Sequence, residues 1–136
     1  MTDTSYDPVR EFLRQQGAPY HVISSGLRGL VENWERIVEM VVQGYPLTLD
    51  DYLNDMDGRQ LLENAMKLAP LEVRKQFTAR LRDADLRVRL ELVPAGRCLW
   101  GRIVAEDEGW SEETNWWYFE RPRSPGPKLA EELELR

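Results

Sequence analysis

Between Leu27 and Val42 the apolar residues Leu27, Leu30, Val31, Trp34, Ile37, Val38, Val41 and Val42 recur every three or four positions. That period belongs to one face of an α-helix, and no strand produces it. The opposite face carries Arg28, Glu32, Glu35, Arg36 and Glu39. Glu32 precedes Arg36 by one helical turn, the favourable order for an ion pair. Ser24 or Ser25 is expected to cap the start of this helix, Gly44 to close it and Pro46 to prevent its continuation. At ~1.5 Å per residue the striped stretch crosses about 24 Å, the width of a small domain. The remaining segments must therefore pack around a central helix over 25–43.

The flanking segments follow the same rules. Asp7-Pro8 places a cap and a first-turn proline ahead of Val9, Phe12 and Leu13, which predicts a short helix over 7–16. A connection over 17–26 is then expected, anchored by Tyr20 and Val22. Thr48 with Asp51 three residues on is a variant capping box. A second start signal at Asp57, with Gly58 beside it, predicts a broken or kinked helix pair over 48–69. Pro70 opens a helix over 70–91, carried by Val73, Phe77, Leu81, Ala84 and Val88. Within it Leu86, Val88, Leu90 and Leu92 also alternate with charged residues as a strand would; the helix is preferred to about Leu90. Leu86 and Leu90 would then lie opposite the Phe77 face, which asks for neighbours on both sides.

The last third is irregular. Residues 98–120 hold Trp100, Trp110, Trp116, Trp117, Tyr118 and Phe119. Ile103 to Ala105 suits a strand or a short helix, and the Trp116–Phe119 run is strand-like in propensity, though it also suits an anchored loop. Pro122, Pro125, Gly126 and Pro127 mark an extended arm within 121–136, with Leu129, Leu133 and Leu135 as a short docking helix or frayed tail. The fold class predicted is mainly α: one domain over 1–136, a compact helical bundle with an aromatic-rich C-terminal third that has room for a small β-hairpin.

Charge narrows function more than length does. The chain has 136 residues and a net charge of −6. Residues 70–103 are net basic, whereas both flanks are acidic. The basic middle is expected to be neutralised within the fold, and nucleic-acid binding is disfavoured because phosphate recognition needs a net basic surface. No apolar run reaches the ~18 residues of a membrane span. The polar, acidic start argues against a secretory signal, and Cys98, the only cysteine, fits a reducing compartment. A cytoplasmic protein is expected.

No motif carries chemistry. The acidic run Asp50, Asp51, Asp55 and Asp57 fails as a calcium loop: with Gly58 at the sixth position, Leu53 and Asn64 occupy the first and twelfth. These carboxylates read as helix caps and a solvated face, so no metal is expected. His21 has no second ligand near it in sequence, and nothing local pairs it with Cys98. Phosphate-loop, dinucleotide and nucleophile-elbow motifs are absent, and no cofactor is expected.

The remaining signal is aromatic and acidic. Tryptophan and tyrosine dominate binding hot spots, and here they alternate with carboxylates. The residues expected to meet a partner are Glu106, Asp107, Glu108, Trp110, Glu112, Glu113, Trp116 and Tyr118. The alternative for the rings is core filling. The function expected is a non-enzymatic interaction domain, an inhibitor or immunity-type protein that occludes a basic protein such as a toxin. The runner-up is a small enzyme or ligand-binding domain with an acidic–aromatic pocket.

Overall fold

The computed structural model describes residues 7–135. The polar start read against a secretory signal lies almost wholly outside them, as do Arg136 and the Leu135 side chain. Six helices run in chain order: α1 (Pro8–Gln15), α2 (Tyr20–Val42), α3 (Leu49–Leu68), α4 (Leu71–Arg89), α5 (Arg102–Glu108) and α6 (Pro127–Leu135). Two short strands, β1 (Leu92–Pro94) and β2 (Glu120–Pro122), pair antiparallel with Val93 opposite Arg121. Of the described residues, 69% are helical.

Helix α2 is the core element the stripe predicts. Leu27, Leu30, Val31, Trp34, Ile37, Val38 and Val41 are all buried, and α1, α3 and α4 pack against it. It starts earlier than expected. The backbone at Gly26 (φ 59°, ψ −149°) takes a conformation closed to other residues, and a preceding helical turn from Tyr20 joins there across a kink. Ser24 and Ser25 lie before that kink and donate their hydroxyls to the His21 carbonyl instead of capping the helix. Tyr20 is 83% exposed and anchors nothing, whereas Val22 packs against the core. Arg36 donates to Asn33 Oδ1 at 2.7 Å, so the pair expected with Glu32 gives way to a neighbour on the same helix.

Helix α3 carries the predicted capping box, with Thr48 and Asp51 exchanging side-chain and backbone bonds. It does not break at Gly58. A mid-helix glycine costs ~1 kcal/mol, less than is gained by burying Leu53, Met56, Leu62 and Ala65 on either side of it. Helix α4 continues to Arg89 as preferred, and Leu86 and Leu90 remain 60% and 72% exposed with no second layer over them. Its arginines meet the acidic flanks: Arg80 pairs with Glu35, Arg87 with Glu39 at 2.8 Å, and Arg89 with Glu120 at 3.2 Å.

The Trp116–Tyr118 run forms a 3₁₀ turn rather than a strand, and all three rings are buried. A tight turn buries three large consecutive side chains here, where a strand with one solvated face would bury only alternate ones. The Pro-rich arm is short. Gly126 donates to the Tyr45 carbonyl at 3.0 Å, and the chain then enters α6. That helix buries Leu129 and Leu133, and Glu132 accepts from the Leu49 N–H at the start of α3. Among the described residues no helix is long and apolar enough to cross a membrane.

Candidate functional site

The candidate site is built on α5 and the loop after it. This helix ends at Gly109 in the left-handed region (φ 73°, ψ 28°). Gly109 donates to the Glu106 carbonyl and Trp110 to the Ala105 carbonyl. That paired pattern is a Schellman cap, which turns the following residue back over the helix it closes. Trp110 is thereby delivered onto Tyr118, with ring centroids 3.8 Å apart and planes 15° from parallel. Tyr118, 1% exposed, donates its hydroxyl to Asp57 Oδ1 at 2.7 Å, and the same oxygen accepts from Trp100 Nε1 at 3.1 Å. One carboxylate of α3 thus fixes the tryptophan before α5 and the tyrosine beneath the tryptophan after it.

The residues singled out from the sequence divide in two. Glu106, Asp107, Glu108, Glu112 and Glu113 are exposed, and Trp110 is half-buried. Trp116 and Tyr118 are buried, so neither ring can be a surface anchor. Trp116 packs beneath Arg89, whose guanidinium lies 4.6 Å from the ring centre. The outward apolar side chains are ones the sequence reading did not select: Trp100 at 36%, Ile103 at 68% and Val104 at 36% exposure. Ile103 and Val104 lie in α5 while Trp100 precedes it across Gly101 at φ 106°, so no helical period joins the three and nothing local signals that they are uncovered.

Two grooves flank Trp110 on the α3 side. One, of about 480 Å³, is lined by Trp100, Val104 and Glu108 from the α5 region and by Asp57, Gln60, Leu61 and Asn64 from α3. The other, of about 650 Å³, shares Gln60, Asn64, Glu108 and Trp110 and adds Glu63, Lys67, Thr114 and Asn115. A third cavity of about 620 Å³ lies between Trp110, Cys98, Arg102, Glu106 and Phe119. An amide chain stiffens the first two: Asn115 Nδ2 donates to Gln60 Oε1 at 2.8 Å, and Gln60 Nε2 to Asn64 Oδ1 at 3.1 Å.

Behind this surface lies a charged core that the sequence reading missed. Arg59 is 3% exposed. Its Nη2 and Nε reach Asp85 at 2.8 and 3.1 Å, and its Nη1 reaches Glu63 at 3.0 Å. Trp34 Nε1 donates to the same Asp85 at 2.9 Å, and the Arg59 guanidinium sits 4.4 Å from the centre of the Trp117 ring. The signal was present: Arg59 occupies the apolar stripe of α3 between Met56 and Leu62.

The acidic run of α3 separates into different duties. Asp51 caps the helix, Asp55 accepts from the Tyr45 hydroxyl at 2.5 Å, Asp57 holds Trp100 and Tyr118, and Asp50 is exposed. Among the described residues no three or more His, Cys, Asp or Glu side chains converge in a way that could hold a metal ion. Calorimetric titration with calcium, magnesium or manganese is expected to show no saturable micromolar binding, and tight one-to-one binding would contradict this division of roles. Cys98 is buried and His21 is exposed.

Two carboxyls are set by burial. Burial pushes Asp55 above the usual carboxylate range, against the opposing pull of the Tyr45 bond and Arg36. It does the same to Glu120, against Arg89. Tyr45 is itself pushed far up, by burial first and then by Asp55, and stays a donor at all ordinary pH. In the window above the unfolded carboxylate values the native state therefore holds more protons than the unfolded chain. The contribution of these groups is full below their unfolded values and is lost as pH rises through the folded ones. Urea midpoints measured across that window should fall less steeply with pH for Asp55→Asn/Glu120→Gln than for the wild type. Identical slopes would contradict the assignment.

No protein-family model matches this chain, and no curated protein or solved structure matches it. What the fold and the site define is a class: a small, mainly helical domain that presents an aromatic, acid-rimmed face.

Proposed function

We propose that this protein is a non-enzymatic interaction domain that binds and occludes a basic protein partner, in the manner of an inhibitor or immunity protein. The observation that carries the reading is the face of α5. Ile103 and Val104 of α5 and Trp100 just before it stand outward, and Glu106, Asp107, Glu108, Glu112 and Glu113 follow along the same helix and the loop after it, all exposed. Within the helix only Arg102 offsets this charge, through its 3.2 Å pair with Glu106. Apolar anchors inside a charged rim are the anatomy of a recognition surface: the rings and branched side chains supply desolvated area, and the carboxylates steer the approach.

Changing Glu106, Asp107, Glu108, Glu112 and Glu113 to Lys tests this reading. These side chains are solvated, so the variant is expected to unfold at the wild-type temperature. Its association with the partner captured from cells should slow by at least about tenfold, the low end of electrostatic steering, and should lose the wild-type salt dependence. An on-rate and salt dependence equal to wild type would remove this face from consideration. The grooves beside Trp110 favour a second reading, a ligand-binding domain or small enzyme. It would gain if a small molecule raised the unfolding temperature of wild type and of the five-lysine variant alike.

A further inference from the structure

We infer that the groove between Trp100 and Trp110 is a receptor for an arginine side chain, contributed by the partner that docks on α5. This deepens the reading above and rests on it. The groove of about 480 Å³ is lined by the rings of Trp100 and Trp110, with Tyr118 stacked beneath Trp110, and by two carboxylates, Asp57 and Glu108; among the described residues no lysine, arginine or histidine lines it. Its charge therefore selects a cation. Its rings select a flat one: a guanidinium stacks on aromatic faces, is weakly hydrated and presents donors in a planar fork, whereas an ammonium is compact and strongly hydrated.

The acceptor is already oriented. Asp57 Oδ1 takes both Trp100 Nε1 and the Tyr118 hydroxyl, while Oδ2 accepts no hydrogen bond among the described residues. The two bonds lock the carboxylate plane, so a guanidinium entering between the tryptophans meets a fixed anionic acceptor. Such a charge-assisted bond is about twice as strong as a neutral one. Glu108, at the end of α5, lines the same groove.

The probe is the capped tripeptide acetyl-Gly-Arg-Gly-amide, with the citrulline tripeptide as its uncharged isostere. The readout is the five indole N–H signals of the folded protein in a nitrogen–proton correlation spectrum, assigned with Trp100→Phe and Trp110→Phe. The arginine peptide should shift the Trp100 and Trp110 signals saturably, in the millimolar range, and leave Trp34 and Trp117 in place. The citrulline peptide should leave all five unmoved. Asp57→Asn keeps an oxygen for Trp100 and Tyr118 and should weaken binding about tenfold, the low end for losing a charged partner. Glu108→Gln, at an exposed position, should weaken it by a smaller factor without touching the fold.

Absence of a saturable shift, an equal response to citrulline, or indifference to both variants overturns the proposal. A lysine peptide that binds as tightly as the arginine peptide overturns the guanidinium assignment. The two levels separate cleanly. A partner that ignores Asp57→Asn but is lost with Ile103→Asp leaves the docking face standing without the arginine receptor. A groove that takes the peptide while the partner ignores both substitutions does the reverse.

Discussion

Arg59→Ala should lower stability by about 3–5 kcal/mol, the cost of removing one partner of a buried ion pair. The cation is 3% exposed, and the side chain of Asp85 is only 18% exposed. After the substitution Asp85 keeps, among the described residues, only the Trp34 indole as a donor, and Trp117 loses the guanidinium 4.4 Å from its ring centre. Glu63, 31% exposed, can turn to solvent. Urea unfolding measures the loss. The companion Arg59→Met/Asp85→Asn should recover much of it, because the orphaned charge is gone while Asn still accepts from Trp34. A loss below about 1 kcal/mol for Arg59→Ala would mean that water reaches the pair.

Trp34→Ala is expected to cost a similar ~3–5 kcal/mol, the range for truncating a core aromatic. The ring is 1% exposed at the middle of α2, and its Nε1 ties that helix to Asp85 on α4. Trp34→Phe should separate the two contributions. It keeps most of the apolar area and removes the hydrogen bond, for about 1–2 kcal/mol. Because Trp34 and Arg59 share Asp85, the alanine variants should not add: the double variant should lose less than the sum. Strict additivity would mean that the two side chains do not act through one carboxylate.

The elements that were legible are those whose signals are local. The stripe from Leu27 to Val42 needs only helical periodicity, and the Thr48–Asp51 box is read within one turn. The strand-like alternation from Leu86 to Leu92 does not displace the helix, because Val88 keeps the register of Phe77 and Leu81. What was not legible depends on partners distant in sequence. Gly58 reads as a break until the burial on both sides of it is known. Trp116 to Tyr118 favour a strand until a 3₁₀ turn is seen to bury all three rings.

The site divides along the same line. The five carboxylates from Glu106 to Glu113 were chosen for charge and hydration, and both are sequence properties. Tyr118 was chosen as a surface ring and proves to be the floor beneath Trp110. Ile103 and Val104 suit a strand or a short helix in sequence, and only the way α5 lies on the fold turns them outward. Asp57 read as a helix start signal; its hold on Trp100 joins residues 43 positions apart, which no local pattern encodes.

The most direct measurement of the central claim places a photo-crosslinking amino acid at Ile103 and, separately, at Leu86, which is comparably exposed on α4. Both variants are irradiated in cells, and the crosslinked partner is identified by mass spectrometry. If α5 is the docking face, Ile103 should yield one dominant basic protein and Leu86 should not, and the Ile103 product should fade when the five acidic residues are changed to Lys. The same partner captured from Leu86 but not from Ile103 would contradict the account and move the interface to α4.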